Sequence, residues 1–80
     1  MKEAEKKLRD LLAGILKIPP SSINDNTSPE NTESWDSFNG LMIATELEKT
    51  FKTSFTIKEV ISVKKVADIK RTLKKHHIDI

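Results

Sequence analysis

The chain contains no cysteine, no tyrosine, one tryptophan and two glycines in 80 residues. Without cysteine, no disulfide staples the fold and no thiolate metal site can form. That usage fits a reducing compartment. No apolar run is long enough to span a membrane, and the charged segment Met1 to Lys7 lacks the apolar core of a secretory signal. A cytoplasmic protein is expected. There is no aromatic platform for stacking bases, no glycine-rich phosphate loop, no Ser-His-Asp set and no pair of catalytic carboxylates. His76 and His77 are adjacent, so on a helix they point in different directions. Zinc needs at least three protein ligands, and no metal site is expected. The chain reads as a protein that is not an enzyme.

What is present is a thin but regular helical pattern. At this length the chain is expected to form a single small domain, residues 1–80, whose core must be assembled economically. Ala4, Leu8, Leu11, Leu12 and Ile15 fall at helical spacing, which predicts a helix over Lys2 to Lys17 that stops at Pro19-Pro20. Ile18 to Trp35 is rich in Ser, Asn, Thr and Pro and has no period. It reads as one long loop, pinned to the core by Ile23. Loops this long are more often functional or disordered than idle. Asp36 to Thr50 is the predicted second helix, with Leu41, Ala44, Leu47 and Phe51 inward and Ile43 at the edge of the stripe. Thr56-Ile57-Lys58-Glu59 is a capping-box pattern opening a short third helix through Ile61. Ser62 is the expected cap of a fourth helix, where Val66, Ile69 and Leu73 face the core. The fold class is all-α: a four-helix bundle of three long helices and one short one, with the long loop between the first and second.

The net charge of +2 is small and unevenly spread. Asn24 to Asp36 holds Asp25, Glu30, Glu33 and Asp36 and no base. Lys58 to His77 is basic, with only Glu59 and Asp68 against it. A basic C-terminal helix can meet nucleic acid, anionic lipid or an acidic protein, but such a run is more often a solvated helix face.

The residues that carry chemistry are Asp36 and Ser37. Asp36 can cap the free amides of the second helix. Ser37 then places a hydroxyl at the positive end of the helix dipole, where a covalently attached phosphate would be favoured. Asp36 can also contact a divalent cation in the site of a modifying enzyme, since hard cations favour carboxylate oxygen. Taken alone, the two residues are an ordinary helix start. Phe38 and Met42 share a helix face near the serine and offer an apolar docking spot. Trp35 reads as a structural lid on the loop-to-helix junction.

The wider context resembles the acyl carrier protein family over almost the whole chain. Leu16-Lys17-Ile18, Ile23 with Asn24-Asp25-Asn26-Thr27-Ser28, Asp36-Ser37-Phe38, Phe51 to Thr56 and Val63 to Ile69 each look like the corresponding family segment. The resemblance implies that Ser37 carries 4'-phosphopantetheine, delivered from coenzyme A by a magnesium-dependent phosphopantetheinyl transferase. An acyl or aminoacyl group then rides on the arm as a thioester, placed there by a ligase and handled by acyltransferases. The second helix is the implied recognition surface, through Phe38, Met42, Glu46 and Glu48. It is less acidic than in fatty-acid carriers, because Asn39 and Met42 stand where acids are frequent. The interior between the second and third helices, bounded by Leu47, Phe51, Phe55 and Ile61, is expected to shelter a short acyl chain.

The Trp-Asp-Ser start is similar to stand-alone bacterial carriers of specialised pathways, such as lipopolysaccharide, surface polysaccharide or lipid biosynthesis. A monomer is expected. The rival reading is a small basic helical module binding nucleic acid through Lys64, Lys65, Lys70, Arg71, Lys74 and Lys75. The acidic loop and the missing helix-turn-helix spacing stand against it, so nucleic acid is not the expected partner. Contact of the basic helix with a membrane surface or an acidic enzyme is compatible with the carrier reading.

Overall fold

The computed structural model describes residues 2–80. Helix α1 spans Glu3–Leu16, a single 3-10 turn follows at Pro20–Ser22, α2 spans Ser37–Phe51, α3 Ile57–Ile61 and α4 Val66–Lys75. No strand occurs among the described residues. The architecture is the expected all-helical one, with three longer helices, one short helix and a long connection between α1 and α2.

The helices end where local chemistry ends them. Lys17 and Lys52 both adopt the left-handed conformation, with φ of 57° and 52°. The Lys17 amide returns to Ala13 O, and the amides of Lys52 and Thr53 both return to Glu48 O. These closures satisfy carbonyls that would otherwise lack a partner. Helix α1 therefore stops ahead of Pro19. The prolines keep it from resuming, since Pro20 offers no amide.

The core is built by Leu8, Leu12 and Leu16 of α1, Ile43 and Leu47 of α2, and Val66, Ile69 and Leu73 of α4. Ile23 and Trp35 enter it from the long loop, at 4% and 6% exposure. The expected faces of α1 and α4 hold. Helix α2 differs: Ile43, expected at the edge, is buried, while Leu41 is exposed. Rotation about the helix axis sets this result. With Ile43 and Leu47 inward at i, i+4 spacing, Leu41 is turned two residues, or ~200°, away from Ile43. Three nearly equivalent apolar stripes exist on this helix, and packing against α1 selects one.

The long loop is ordered by its own polar side chains. The Asn24 amide donates to Thr27 Oγ1 at 2.9 Å, the Asn26 amide to Asn24 Oδ1 at 2.8 Å, and the Ser28 amide to Asn31 Oδ1 at 2.9 Å. Asn31 Nδ2 donates to Asn26 O at 2.8 Å. Thr27 and Ser28 are buried. Asn, Ser and Thr side chains here replace the backbone partners a helix would supply.

The same loop caps α4. The amides of Val66 and Ala67 donate to Thr27 O and Asp25 O at 2.9 and 3.0 Å. Ser62 is not the cap of α4. It ends α3 and donates its hydroxyl to Glu59 O at 2.9 Å. The free amides of α4 had a partner far away in sequence, which local pattern could not reveal.

Candidate functional site at the start of the second helix

Asp36 is the N-cap of α2, and its Oδ1 accepts from the Asn39 amide at 2.9 Å. Asn39 Nδ2 in turn donates to Ser34 O at 2.7 Å, tying the end of the loop to the helix. Ser37 is the first helical residue and is exposed. The amides of Ser37 and Phe38 donate to no protein atom. Two free donors at the positive helix end therefore flank an accessible hydroxyl. A phosphodiester on that hydroxyl would find partners without displacing any protein hydrogen bond. Asp36 faces the amides with its own charge already engaged. The residues present fit the group.

Beside Ser37 opens a largely apolar cavity of about 190 Å³. It runs between α2 and α3 and reaches α4, with Leu47, Phe55, Val60 and Ile69 among its lining residues. Leu47, Phe55 and Ile61 line it as expected from sequence. Phe51, expected beside them, does not; it is half-buried and packs on the core. The single indole of Trp35 closes the serine end of the cavity and is itself buried. A methyl group added at Gly40 would lie 3.7 Å from Trp35 Nε1, ordinary contact distance, so close approach does not require the glycine.

Helix α3 forms the outer wall and contributes no buried residue. Ile57 and Ile61 are exposed at 81% and 67%, and only Val60 and Glu59 turn partly inward. Polar contacts hold it instead. The capping box is complete, with the Thr56 amide donating to Glu59 Oε1 at 2.9 Å and the Glu59 amide to Thr56 Oγ1 at 3.1 Å. Glu59 Oε2 lies 2.9 Å from His76 Nε2, and His76 Nδ1 lies 2.8 Å from Thr53 Oγ1. Phe55 meets the same imidazole edge-on, with centroids 5.2 Å apart. The Thr56 amide first, and His76 second, hold the Glu59 carboxyl below its ordinary value. His76 therefore bridges the α2–α3 connection, α3 and α4. The sequence marked Glu59 through its capping box, but nothing local linked it to His76.

The other expected contact residues separate into two groups. Phe38 and Met42 are exposed at 70% and 40%, and Leu41 joins them at 64%. Glu46 pairs with Lys49 at 3.5 Å. Glu48 is not a free surface acid: its Oε2 accepts the Phe55 amide at 2.8 Å and fastens the α2–α3 connection. On α4, Lys70 sits between Glu5 and Asp25 at 2.7 Å from each, and Arg71 pairs with Asp68 at 2.6 Å. Two of the six cations that a nucleic-acid surface would use are thus engaged internally. His77 is exposed in a left-handed turn, and no cluster of three or more metal-type ligands occurs among the described residues. No helix among them is long and apolar enough to cross a membrane.

An exposed serine at a capped helix start, with an apolar cavity beside it in a four-helix bundle, defines a carrier domain. The phosphopantetheine attachment site family matches residues 6–73, and the chain belongs to it. It is a carrier of the acyl carrier protein type whose prosthetic group is covalently bound 4'-phosphopantetheine. The fold matches a solved structure assigned as an acyl carrier protein from Mycobacterium tuberculosis, with a TM-score of 0.79 at 21% identity, covering 89% of this chain and 95% of that one. No curated protein matches the chain in sequence.

Proposed function

We propose that Ser37 is the attachment point of the phosphopantetheine arm. The observation that carries this reading is the pairing of an exposed hydroxyl with the free amides of Ser37 and Phe38 beside the cavity mouth. Asp36 sets the helix start through the Asn39 amide, and its second oxygen can contact magnesium in the transferase complex. The arm supplies a terminal thiol that holds an acyl or aminoacyl group as a thioester. The residues of this chain do the rest: they present the attachment point, offer a surface to partners and provide an apolar cavity.

A cavity of about 190 Å³ corresponds to roughly six methylene volumes if each takes about the ~30 Å³ share of a water molecule. That supports a short acyl chain as cargo. Because α2 has few unengaged carboxylates, the partners are enzymes of a specialised bacterial pathway, such as lipopolysaccharide or surface polysaccharide assembly or a dedicated lipid pathway. They include a phosphopantetheinyl transferase, a loading ligase and acyltransferases. The protein works as a cytoplasmic monomer, a single domain over residues 1–80.

Intact mass after incubation with coenzyme A, magnesium and a broad-specificity phosphopantetheinyl transferase tests the assignment. The expected result is a gain of one phosphopantetheine in the wild type and none in Ser37→Ala. A gain that persists in Ser37→Ala moves the attachment point elsewhere.

A further inference from the structure

The face around the cavity mouth combines two features that the carrier role alone does not require. The first is apolar exposure across two helices. Leu41 of α2 and Ile61 of α3 both line the cavity and both stand largely exposed, so they form facing lips of its mouth. Phe38 extends the α2 lip toward the serine, and Ile57, one turn before Ile61, extends the α3 lip. Exposed large apolar groups scattered singly need no explanation, but a joined set around one opening marks an interaction surface.

The second feature is the state of the charges on that face. Its carboxylates are engaged: Asp36 caps α2, Glu46 pairs with Lys49, Glu48 holds the Phe55 amide, and Glu59 is fixed by Thr56 and His76. The ammonium groups are not. Lys58 stands beside Ile57, and Lys64 and Lys65 follow Val63, a cavity-lining residue. Among the described residues none of these three pairs with a carboxylate, and all three are exposed. The α3 side of the mouth is apolar with an unneutralised basic rim.

We propose that the α2–α3 face docks on a partner enzyme that presents an apolar socket rimmed by carboxylates. Phe38, Leu41, Ile57 and Ile61 enter the socket, and Lys58, Lys64 and Lys65 meet the rim. Opposite charge across the rim steers encounter and rejects wrong partners, while the buried apolar groups supply most of the affinity. A basic carrier-binding surface is repelled by the same rim, and added salt weakens that repulsion. The proposal rests on the carrier reading above.

Phosphopantetheine transfer supplies the test, with two transferases as probes: one with an acidic and one with a basic carrier-binding surface. Their kcat/KM values are measured for the wild type, for Phe38→Ala, for Ile57→Ala, and for triple variants that change Lys58, Lys64 and Lys65 to Glu or to Gln. Wild type is expected to favour the acidic-surfaced enzyme by on the order of tenfold at low salt. The Glu variant inverts that preference, the Gln variant flattens it, and both alanine substitutions lower kcat/KM through KM with both enzymes. Circular dichroism confirms that each variant remains folded, and the neutral Gln variant guards against a fold effect of charge reversal.

A preference unchanged by charge reversal, or alanine variants equal to wild type, overturns the docking proposal while leaving the carrier reading intact. Failure of the wild type to gain mass with either enzyme removes both. Two other occupants are checked alongside. A dimer in sedimentation velocity that Phe38→Ala abolishes would assign the face to a second copy. Co-sedimentation with phosphatidylglycerol vesicles that the Glu variant abolishes would assign it to a membrane. Either result overturns the proposal.

Discussion

Single residues here carry distinct kinds of information. Asp36, Thr56 and Glu59 act within three residues of their partners, and their roles were legible from spacing alone. Leu41 was not: its inward or outward turn depends on which stripe of α2 meets α1, and that is a packing outcome. The two glycines illustrate the difference between tolerance and need. Gly14 lies in α1 with open space where a methyl group would go, and Gly40 would place that methyl group at ordinary contact distance from Trp35. Neither has a positive φ. Gly14→Ala is therefore expected to stabilise the protein by about 0.5–1 kcal/mol through helix propensity, without changing phosphopantetheine transfer. Gly40→Ala should give a similar gain but narrow the cavity that Gly40 lines. Urea denaturation of the two variants checks the first point. An unchanged or lower midpoint for Gly14→Ala would mean that the exposed site of α1 does not obey simple propensity.

At the level of elements, α3 stands apart. Helices α1, α2 and α4 each bury two or more residues, whereas α3 buries none and depends on hydrogen bonds at its ends. Local stability follows buried apolar contact, so α3 belongs to the low-stability end of this molecule. Its amides are expected to exchange with solvent faster than those of α1 and α4. Because His76 bridges Glu59 and Thr53, His76→Ala should accelerate exchange in α3 and in the α2–α3 connection while leaving α1 unchanged. Hydrogen-exchange mass spectrometry resolves the segments; equal acceleration in α1 would show a global effect and contradict the bridging role. A wall that opens at small cost suits a cavity that cargo must enter and leave. The long loop shows the opposite economy. Its Asn, Ser and Thr content correctly read as irregular, yet the same side chains order it and turn its carbonyls onto α4.

Across the whole molecule, charge pairs join segments far apart in sequence. Lys70 of α4 holds Glu5 of α1 and Asp25 of the loop, and its hydrogen bonds keep both carboxyls below their ordinary values of 4.5 and 3.8. The Lys64 amide, ahead of Arg71, does the same for Asp68. As pH falls, the unfolded chain takes up protons on these groups before the folded chain does. Their stabilising effect is full above the ordinary carboxylate range and is lost as pH drops through the lower folded values, so stability rises with pH there. Burial disfavours the Lys70 ammonium, but Asp25 and Glu5 outweigh it and raise its pKa above 10.5. Its contribution is full below that value and is lost as pH rises through the folded one. Urea midpoints should therefore be level near neutrality and fall in acid. Lys70→Met should shrink the acid dependence; an identical acid profile in that variant would remove Lys70 as its cause.

The sequence by itself determined the helices, their order, the Asp36 cap, the capping box and the position of Ser37 at a helix start, because each depends on residues within a turn of one another. The match over residues 6–73 is consistent with that legibility. Tertiary structure alone decided which face of α2 is buried, that loop carbonyls and not Ser62 cap α4, that Glu48 fastens a connection, and that Lys70 and His76 join distant elements. These depend on the relative placement of segments up to 65 residues apart. Periodicity reports that a helix has an apolar stripe. Only close packing chooses among stripes of similar width, and only the folded chain brings a distant acceptor to an unpaired donor.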